Sequence, residues 1–194
     1  MRRDELRRAM RETRRAIPAG ERAAAAAAAV RVLTALDAWR DAERVAVYHP
    51  MDGELDPAPL TAAARAAGKQ VYLPVLNQRD DEPMVFLPWN PDTPLAPNRY
   101  RIPEPVTGAP LAAQELDLVL APLVAFDLHG QRLGMGAGFY DRSFAFLKDT
   151  RITRPLLLGF AYACQRVDAL PPEPWDVPLS GVVTEQHFYA FPKN

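Results

Sequence analysis

The sequence predicts an α/β fold, a mostly parallel sheet flanked by helices, in a single domain over residues 1–194. Three observations carry that expectation. Short apolar runs at 44–49, 70–76, 116–126, 155–161 and 181–184 are bounded by turn-forming residues, as buried strands are. Segments of helical period separate several of these runs, and residues 44–76 read as one βαβ unit. A chain of 194 residues is most economically one domain, burying roughly 70% of its unfolded surface.

The elements follow in order. Residues 2–15 hold seven arginines against Asp4, Glu5 and Glu12, over a thin apolar stripe of Leu6 and Met10. An amphipathic basic helix is expected there, laced by i,i+4 ion pairs such as Asp4–Arg8. Pro18-Ala19-Gly20 breaks it, and an alanine-rich helix follows from Glu21 to Asp37, with Val30, Leu33 and Leu36 on its buried face. The strand at 44–49 runs into Pro50–Asp56 and then a helix with Pro57 and Pro59 in its first turn and Asp56 as N-cap. Asp52 and Glu54 thus stand where α/β proteins place ligand contacts, the alternative being that they solvate a turn. Gly68 stops this helix, and strands at 70–76 and 84–89 follow. Proline thickens from Pro83 to Pro110, so residues 90–110 are expected as an ordered functional loop without elements of its own.

The most informative stretch comes next. An apolar strand from Leu116 to Phe126, interrupted by Asp117 and Pro122, precedes a polar turn at Asp127–Gln131. Then come Arg132-Leu133-Gly134-Met135-Gly136-Ala137-Gly138-Phe139-Tyr140-Asp141-Arg142 and a helix expected over Phe139–Leu147. Three glycines at alternate positions leave the backbone N–H groups free to turn towards one guest. Before a helix N-terminus that guest is an anion, most often phosphate. The spacing is neither the dinucleotide fingerprint nor the P-loop, and tight packing is the alternative explanation. Arg132 and Arg142 bracket the loop with cations, and Asp141 offers a hard oxygen suited to Mg²⁺.

Composition narrows the classes. A net charge of −1 gives no global field for nucleic acid or anionic membrane, and no aromatic residues interleave the N-terminal arginines. The single Cys164 excludes an intramolecular disulfide and is expected as a small buried hydrophobe. The apolar run Ala23–Val30 is too short to span a bilayer, and no signal-peptide apolar region follows the basic start. A soluble, cytoplasmic protein is expected, a monomer or weak dimer with no nucleic-acid or membrane partner.

These motifs resemble the signature of the 5-formyltetrahydrofolate cyclo-ligase family. Ala121-Pro122-Leu123-Val124-Ala125-Phe126-Asp127 and the run from Arg132 to Arg142 carry most of the likeness. Arg3, Leu6 and Arg7 match the family's Lys-x-x-Leu-Arg start. Tyr100-Arg101-Ile102-Pro103-Glu104-Pro105 matches its Phe-Gly-Ile-x-Glu-Pro loop, with Arg101 at the glycine position. Gln165 and the segment Pro172–Leu179, including Asp176, match further on, while Ser180 stands where an aspartate is frequent.

The resemblance implies a three-layer architecture and an ATP- and Mg²⁺-dependent conversion of 5-formyltetrahydrofolate to 5,10-methenyltetrahydrofolate. It implies that Arg3, Arg7, Arg132, Leu133, Gly134, Met135, Gly136, Ala137, Gly138, Phe139 and Tyr140 bind ATP. Among these, Arg132, Gly136, Gly138 and Tyr140 would serve the transferring group. His49, Met51, Glu54, Tyr100, Met135, Gly136 and Phe139 would line the folate pocket, with Glu54 accepting two hydrogen bonds from the pterin. Asp141 and Asp176 would share one Mg²⁺. Relatives carry a basic residue or glycine at Ala137 and Tyr at Phe139, which leaves open a member that binds nucleotide or folate without turnover. A basic-arm interaction module is the remaining alternative.

Overall fold

Alternation along the strands sets the architecture. The computed structural model describes residues 2–79 and 81–191. Its helices are α1 (Arg3–Arg15), α2 (Ala19–Thr34), α3 (Asp37–Asp41), α4 (Ala58–Ala66) and α5 (Phe139–Ser143). Its strands are β1 (Arg44–Ala46), β2 (Gln70–Val75), β3 (Val85–Pro88), β4 (Leu95–Pro97), β5 (Pro103–Pro105), β6 (Leu118–Ala121), β7 (Ala125–Phe126), β8 (Arg132–Leu133), β9 (Leu156–Phe160), β10 (Gly181–Val183) and β11 (Phe188–Ala190).

Seven strands form one sheet in the order β11-β10-β9-β6-β1-β2-β3. The inner five are parallel, and the pairs β2/β3 and β10/β11 add antiparallel edges. Val45, Val71, Leu118, Leu120 and Leu158 face a core closed by Ala26, Ala29 and Leu33 of α2 and Leu60 of α4. Their neighbours Ala46, Tyr72, Val119, Leu157 and Val182 face the opposite core, with Phe126, Phe144 and Leu147. Each Val, Leu and Phe among them contributes about 1.5–3 kcal/mol on full burial. Gly159 keeps the second face open, because a Cβ there would lie 2.7 Å from the Leu123 side chain and 2.9 Å from that of Val182.

The mostly parallel sheet with flanking helices is as expected, with local corrections. The run 116–126 is two strands, broken after Ala121, and β11 was not anticipated. Residues 90–110 hold a β4/β5 antiparallel pair. The expected helix at 139–147 ends after five residues and continues as a 3₁₀ turn, Ala145–Lys148. The Ser143 hydroxyl donates to the Phe139 carbonyl and accepts the Met84 N–H, and Phe144 leaves the helical path with its ring fully buried. Asp56 acts one position early, taking the Ala58 N–H from ahead of Pro57. Asp4 pairs with Arg7, at i,i+3 and one residue nearer than Arg8. Cys164 is exposed rather than buried. No helix among the described residues is long and apolar enough to cross a membrane.

The chain goes from β1 outward to β2 and β3, then returns to place β6, β9 and β10 on the other side of β1. β1 and β6 are therefore the switch point, where the carboxyl ends of parallel strands diverge and a crevice opens.

Candidate active site

The chain leaving β1 makes a tight turn at Met51–Glu54. The Glu54 N–H donates to the Met51 carbonyl at 3.0 Å, and the Met51 N–H returns a bond to Glu54 Oε2 at 3.0 Å. Both central residues have positive φ, 54° at Asp52 and 73° at Gly53, as a type I′ turn requires. Glycine adopts this freely, whereas Asp52 pays a steric cost that its partners offset. Arg11, Arg14 and Arg15 of α1 all bond the Asp52 carboxylate; desolvation works to raise its pKa, and Arg11 and Arg15 outweigh it and hold the pKa below the ordinary value. Glu54 itself is buried, and desolvation raises its pKa to about 7 although the Met51 N–H and Arg14 favour its charged form.

Leaving β6, the chain exposes buried carbonyls at Leu123 and Val124 that a strand would have paired. Gln165 Nε2 donates to both, at 2.8 and 3.0 Å, and Arg14 Nη1 donates to Leu123 at 3.2 Å. β7 and β8 then form a two-stranded ribbon that hands the chain to the glycine loop. Leu6 of α1 packs on that ribbon through Ala125 and Leu133, which sets the helix across both loops.

In the glycine loop, Gly136 has φ 109° and Gly138 has φ 71°, so two of the three glycines are required by conformation. Gly134 has neither a positive φ nor a neighbour within 4 Å of a Cβ, so it is required by neither conformation nor packing. None of the N–H groups from Gly134 to Gly138 donates a hydrogen bond within the protein among the described residues. Arg7 reaches over from α1, its Nε bonded to the Gly134 carbonyl at 2.9 Å and its Cζ 3.7 Å from where a Gly136 Cβ would be. Arg142 folds back on the same loop, Nη2 donating to the Ala137 carbonyl at 2.8 Å and the guanidinium lying 5.1 Å from the Phe139 ring centre. Its Nε is buried with no partner. Because α5 has only five residues, its dipole is small, and the loop amides and these two arginines supply the positive field.

Arg132 sits differently from expectation. It is buried, with Nη1 donating to the Val177 carbonyl and Nη2 to Asp141 Oδ1, each at 2.5 Å. Asp141 Oδ1 also accepts the Val177 N–H at 3.0 Å, so it is bonded to the residue that follows Asp176. Asp176 Oδ2 takes Arg3 Nη2 at 2.6 Å and the Glu173 N–H at 2.9 Å. The two aspartates are thus on neighbouring segments, each neutralised by an arginine. No cluster of three or more His, Cys, Asp or Glu suited to a metal occurs among the described residues.

Aromatic contacts link the remaining candidates. Tyr100 meets Phe139 edge-on at 5.8 Å, joining the proline-rich arm to the glycine loop. Arg101 adopts the left-handed conformation, at φ 62°, with the Asn98 side chain accepting the Tyr100 and Ile102 N–H groups around it. Met51, Tyr100 and Met135 are exposed apolar groups. Burial first, then the Glu54 carboxyl, pushes the Tyr140 hydroxyl pKa up. His49 turns to Trp89, 5.2 Å between ring centres; its Nε2 is buried without a partner, and desolvation lowers its pKa.

The family model of the 5-formyltetrahydrofolate cyclo-ligase family matches residues 1–185. The chain belongs to that family. The 5-formyltetrahydrofolate cyclo-ligase of Escherichia coli K12 is 46% identical over 145 residues, 74% of this chain and 78% of that protein. That of Mycolicibacterium smegmatis is 31% identical over 186 residues, 93% of this chain and 92% of the relative. The NMR structure of Aquifex aeolicus 5,10-methenyltetrahydrofolate synthetase superposes with a TM-score of 0.84 at 29% identity, covering 100% of this chain and 95% of that one. Cyclo-ligase membership makes the chain an enzyme and agrees with the sequence resemblance and the fold. What the resemblance did not supply is Arg14. Its spacing from Leu6 and Met10, i, i+4 and i+8, was the available signal of an arginine on the buried face.

Proposed function

We propose that the chain converts 5-formyltetrahydrofolate to 5,10-methenyltetrahydrofolate, consuming ATP in the presence of Mg²⁺ and releasing ADP and phosphate. The observation that carries this reading is the glycine loop, with undonated amides under Arg7 and Arg142, joined through α1 to the turn that holds the buried Glu54. One side suits phosphate, and the other suits a neutral heterocycle rich in N–H donors.

The formamide at N5 is a poor electrophile whose oxygen leaves badly. ATP phosphorylates that oxygen: a new O–P bond forms as the bond from the γ-phosphorus to its bridging oxygen breaks, and ADP departs. N10 then attacks the activated carbon and loses its proton, and phosphate leaves with the former formyl oxygen. This sequence asks for positioning and charge neutralisation rather than a covalent nucleophile. In our reading the amides of Gly134–Gly138 and the Arg7 guanidinium take the phosphoryl oxygens. Arg142, lying on Ala137, supplies a cation at the position where relatives carry a basic residue or glycine. Glu54 accepts the pterin donors, while Met51, Tyr100, Met135 and Phe139 give the ring apolar walls, with His49 at the margin as a neutral imidazole. Arg3 and Arg132 act one step back, by fixing Asp176 and Asp141.

Those aspartates fit Mg²⁺. Asp141 Oδ2 and Asp176 Oδ1 carry no hydrogen bond among the described residues, and Mg²⁺ commonly takes one or two carboxylates together with phosphates and water. Held there, Mg²⁺ neutralises phosphate charge. The proposal includes a cytoplasmic monomer or weak dimer with no nucleic-acid or membrane partner; Arg3, Arg7, Arg11, Arg14 and Arg15 are already engaged inside the protein.

The test is the absorbance of the methenyl product. It is expected only when 5-formyltetrahydrofolate, ATP and Mg²⁺ are all present. Binding of either ligand with no product would instead identify a member that binds without turnover.

A further inference from the structure

We propose that Arg14 is a positioning residue for substrate recognition, holding the Met51–Glu54 turn in the shape that presents Glu54 and standing as the cation opposite its carboxyl. The inference rests on the role proposed above for Glu54.

Arg14 is 0% exposed, a rare state for arginine, and is the largest fully buried side chain among the described residues. Its three nitrogens reach in different directions. Nε donates to the Asp52 carbonyl at 3.0 Å, Nη2 to Asp52 Oδ2 at 3.3 Å, and Nη1 to the Leu123 carbonyl at 3.2 Å. Nη1 also lies 3.8 Å from Glu54 Oε1. One guanidinium therefore ties α1 to the loops after β1 and β6, which are the two walls of the switch-point crevice. A buried ion network is a poor source of stability, since apolar residues of similar volume commonly do as well or better. Holding a positive-φ aspartate beside a buried carboxyl is a task that only a forked, permanently charged donor performs.

Glu54 is surrounded by charge from several elements. Arg14 and Arg11 face it from α1, Asp52 from its own turn, Tyr48 from the end of β1 and Tyr140 from α5. On its other side a cavity of about 400 Å³ adds Arg22 of α2, Asp56 and Tyr162. Arg14 alone among these makes an ion-pair contact with Glu54 among the described residues.

The experiment titrates the Glu54 side-chain carboxyl by ¹³C NMR in the free protein, without any ligand. Arg14→Met is expected to raise the Glu54 midpoint by about one pH unit, the effect of losing one near cation. Asp52→Asn, which removes the neighbouring anion of the same network, is expected to lower it. Opposite signs support the proposal. Shifts of the same sign mean that the turn has merely collapsed, and an unmoved midpoint in Arg14→Met means that Arg14 does not act on Glu54; either result overturns it. Where Arg14→Met fails to fold, Arg14→Lys keeps the charge and loses the fork. It is expected to raise the folate KM about tenfold, roughly one factor of 1.4 kcal/mol, with kcat and the ATP KM unchanged. An unchanged folate KM in Arg14→Lys overturns the positioning role. Because the titration needs no substrate, its failure is distinct from absence of methenyl formation by the wild type, which would sink the reaction instead.

Discussion

The turn at Met51–Glu54 and the loop at Gly134–Gly138 are both held by arginines of α1, yet they are made of opposite materials. The turn buries a carboxyl at a pKa near 7 and surrounds it with arginines that are mostly committed to Asp52. The loop buries little, offers undirected backbone donors and keeps its guanidiniums at the surface of the crevice. Phosphate arrives with its own charge and is met by amides that have no acceptor within the protein among the described residues. A neutral heterocycle must be met by a group that is already desolvated, and the protein bears that cost before the ligand arrives. In the apo protein Glu54 is thus strained in a way that the glycine loop is not.

The largest test of this contrast is on the loop. Gly136→Val forces a β-branched residue to φ 109°, costing about 1–3 kcal/mol in strain on top of lost amide contacts. ATP affinity should fall by more than about 100-fold, equivalent to roughly 2.7 kcal/mol, and folate affinity by clearly less, since Gly136 meets the folate only at the edge of its pocket. Equal losses for both ligands would mean that the two regions are one.

Next in size is the stability cost of Glu54. Its folded pKa lies above the ordinary 4.5, so folding favours the protonated form. That contribution is complete below about pH 4.5, is lost as pH rises to about 7, and stays lost above. Glu54→Gln removes the loss, so the apo variant should be more stable than wild type by about 2–3 kcal/mol at pH 8 and no more stable at pH 4. Urea melts at both pH values check this. A variant less stable at pH 8 would show that the fold stabilises the Glu54 carboxylate, which contradicts a raised pKa.

Arg7→Met should cost about 1–2 kcal/mol in ATP affinity and nothing in folate affinity, measured by titration calorimetry. Smallest of all, Cys164→Ser should change stability and either affinity by less than about 0.5 kcal/mol, since the thiol is exposed and outside both regions.

The same contrast explains what could be read from the sequence. Positive φ leaves a trace in residue type, so Gly136 and Gly138 were legible, and short apolar runs bounded by turn residues marked the strands of the sheet. The Arg14–Asp52 network was not, because i, i+3 and i+4 arginines on a basic helix look like a solvated face. Their partner lies 38 residues from Arg14, beyond any local pattern. Arg132 reads as a bracketing cation because charge is visible in a sequence while its commitment to Val177 and Asp141 is not. The short α5 was hidden for a related reason: residues at helical spacing continue to Leu147, and only the bond between Ser143 and Met84 across 59 residues marks where the path departs.

The central claim is that the two regions recognise different chemical partners, and paired calorimetry on Glu54→Gln tests it most directly. Gln turns one acceptor oxygen into a donor facing another donor. Affinity for 5-formyltetrahydrofolate should fall by about 2–4 kcal/mol, with ATP affinity changed by less than about 0.5 kcal/mol. Equal losses for the two ligands, or no loss for either, would contradict the account.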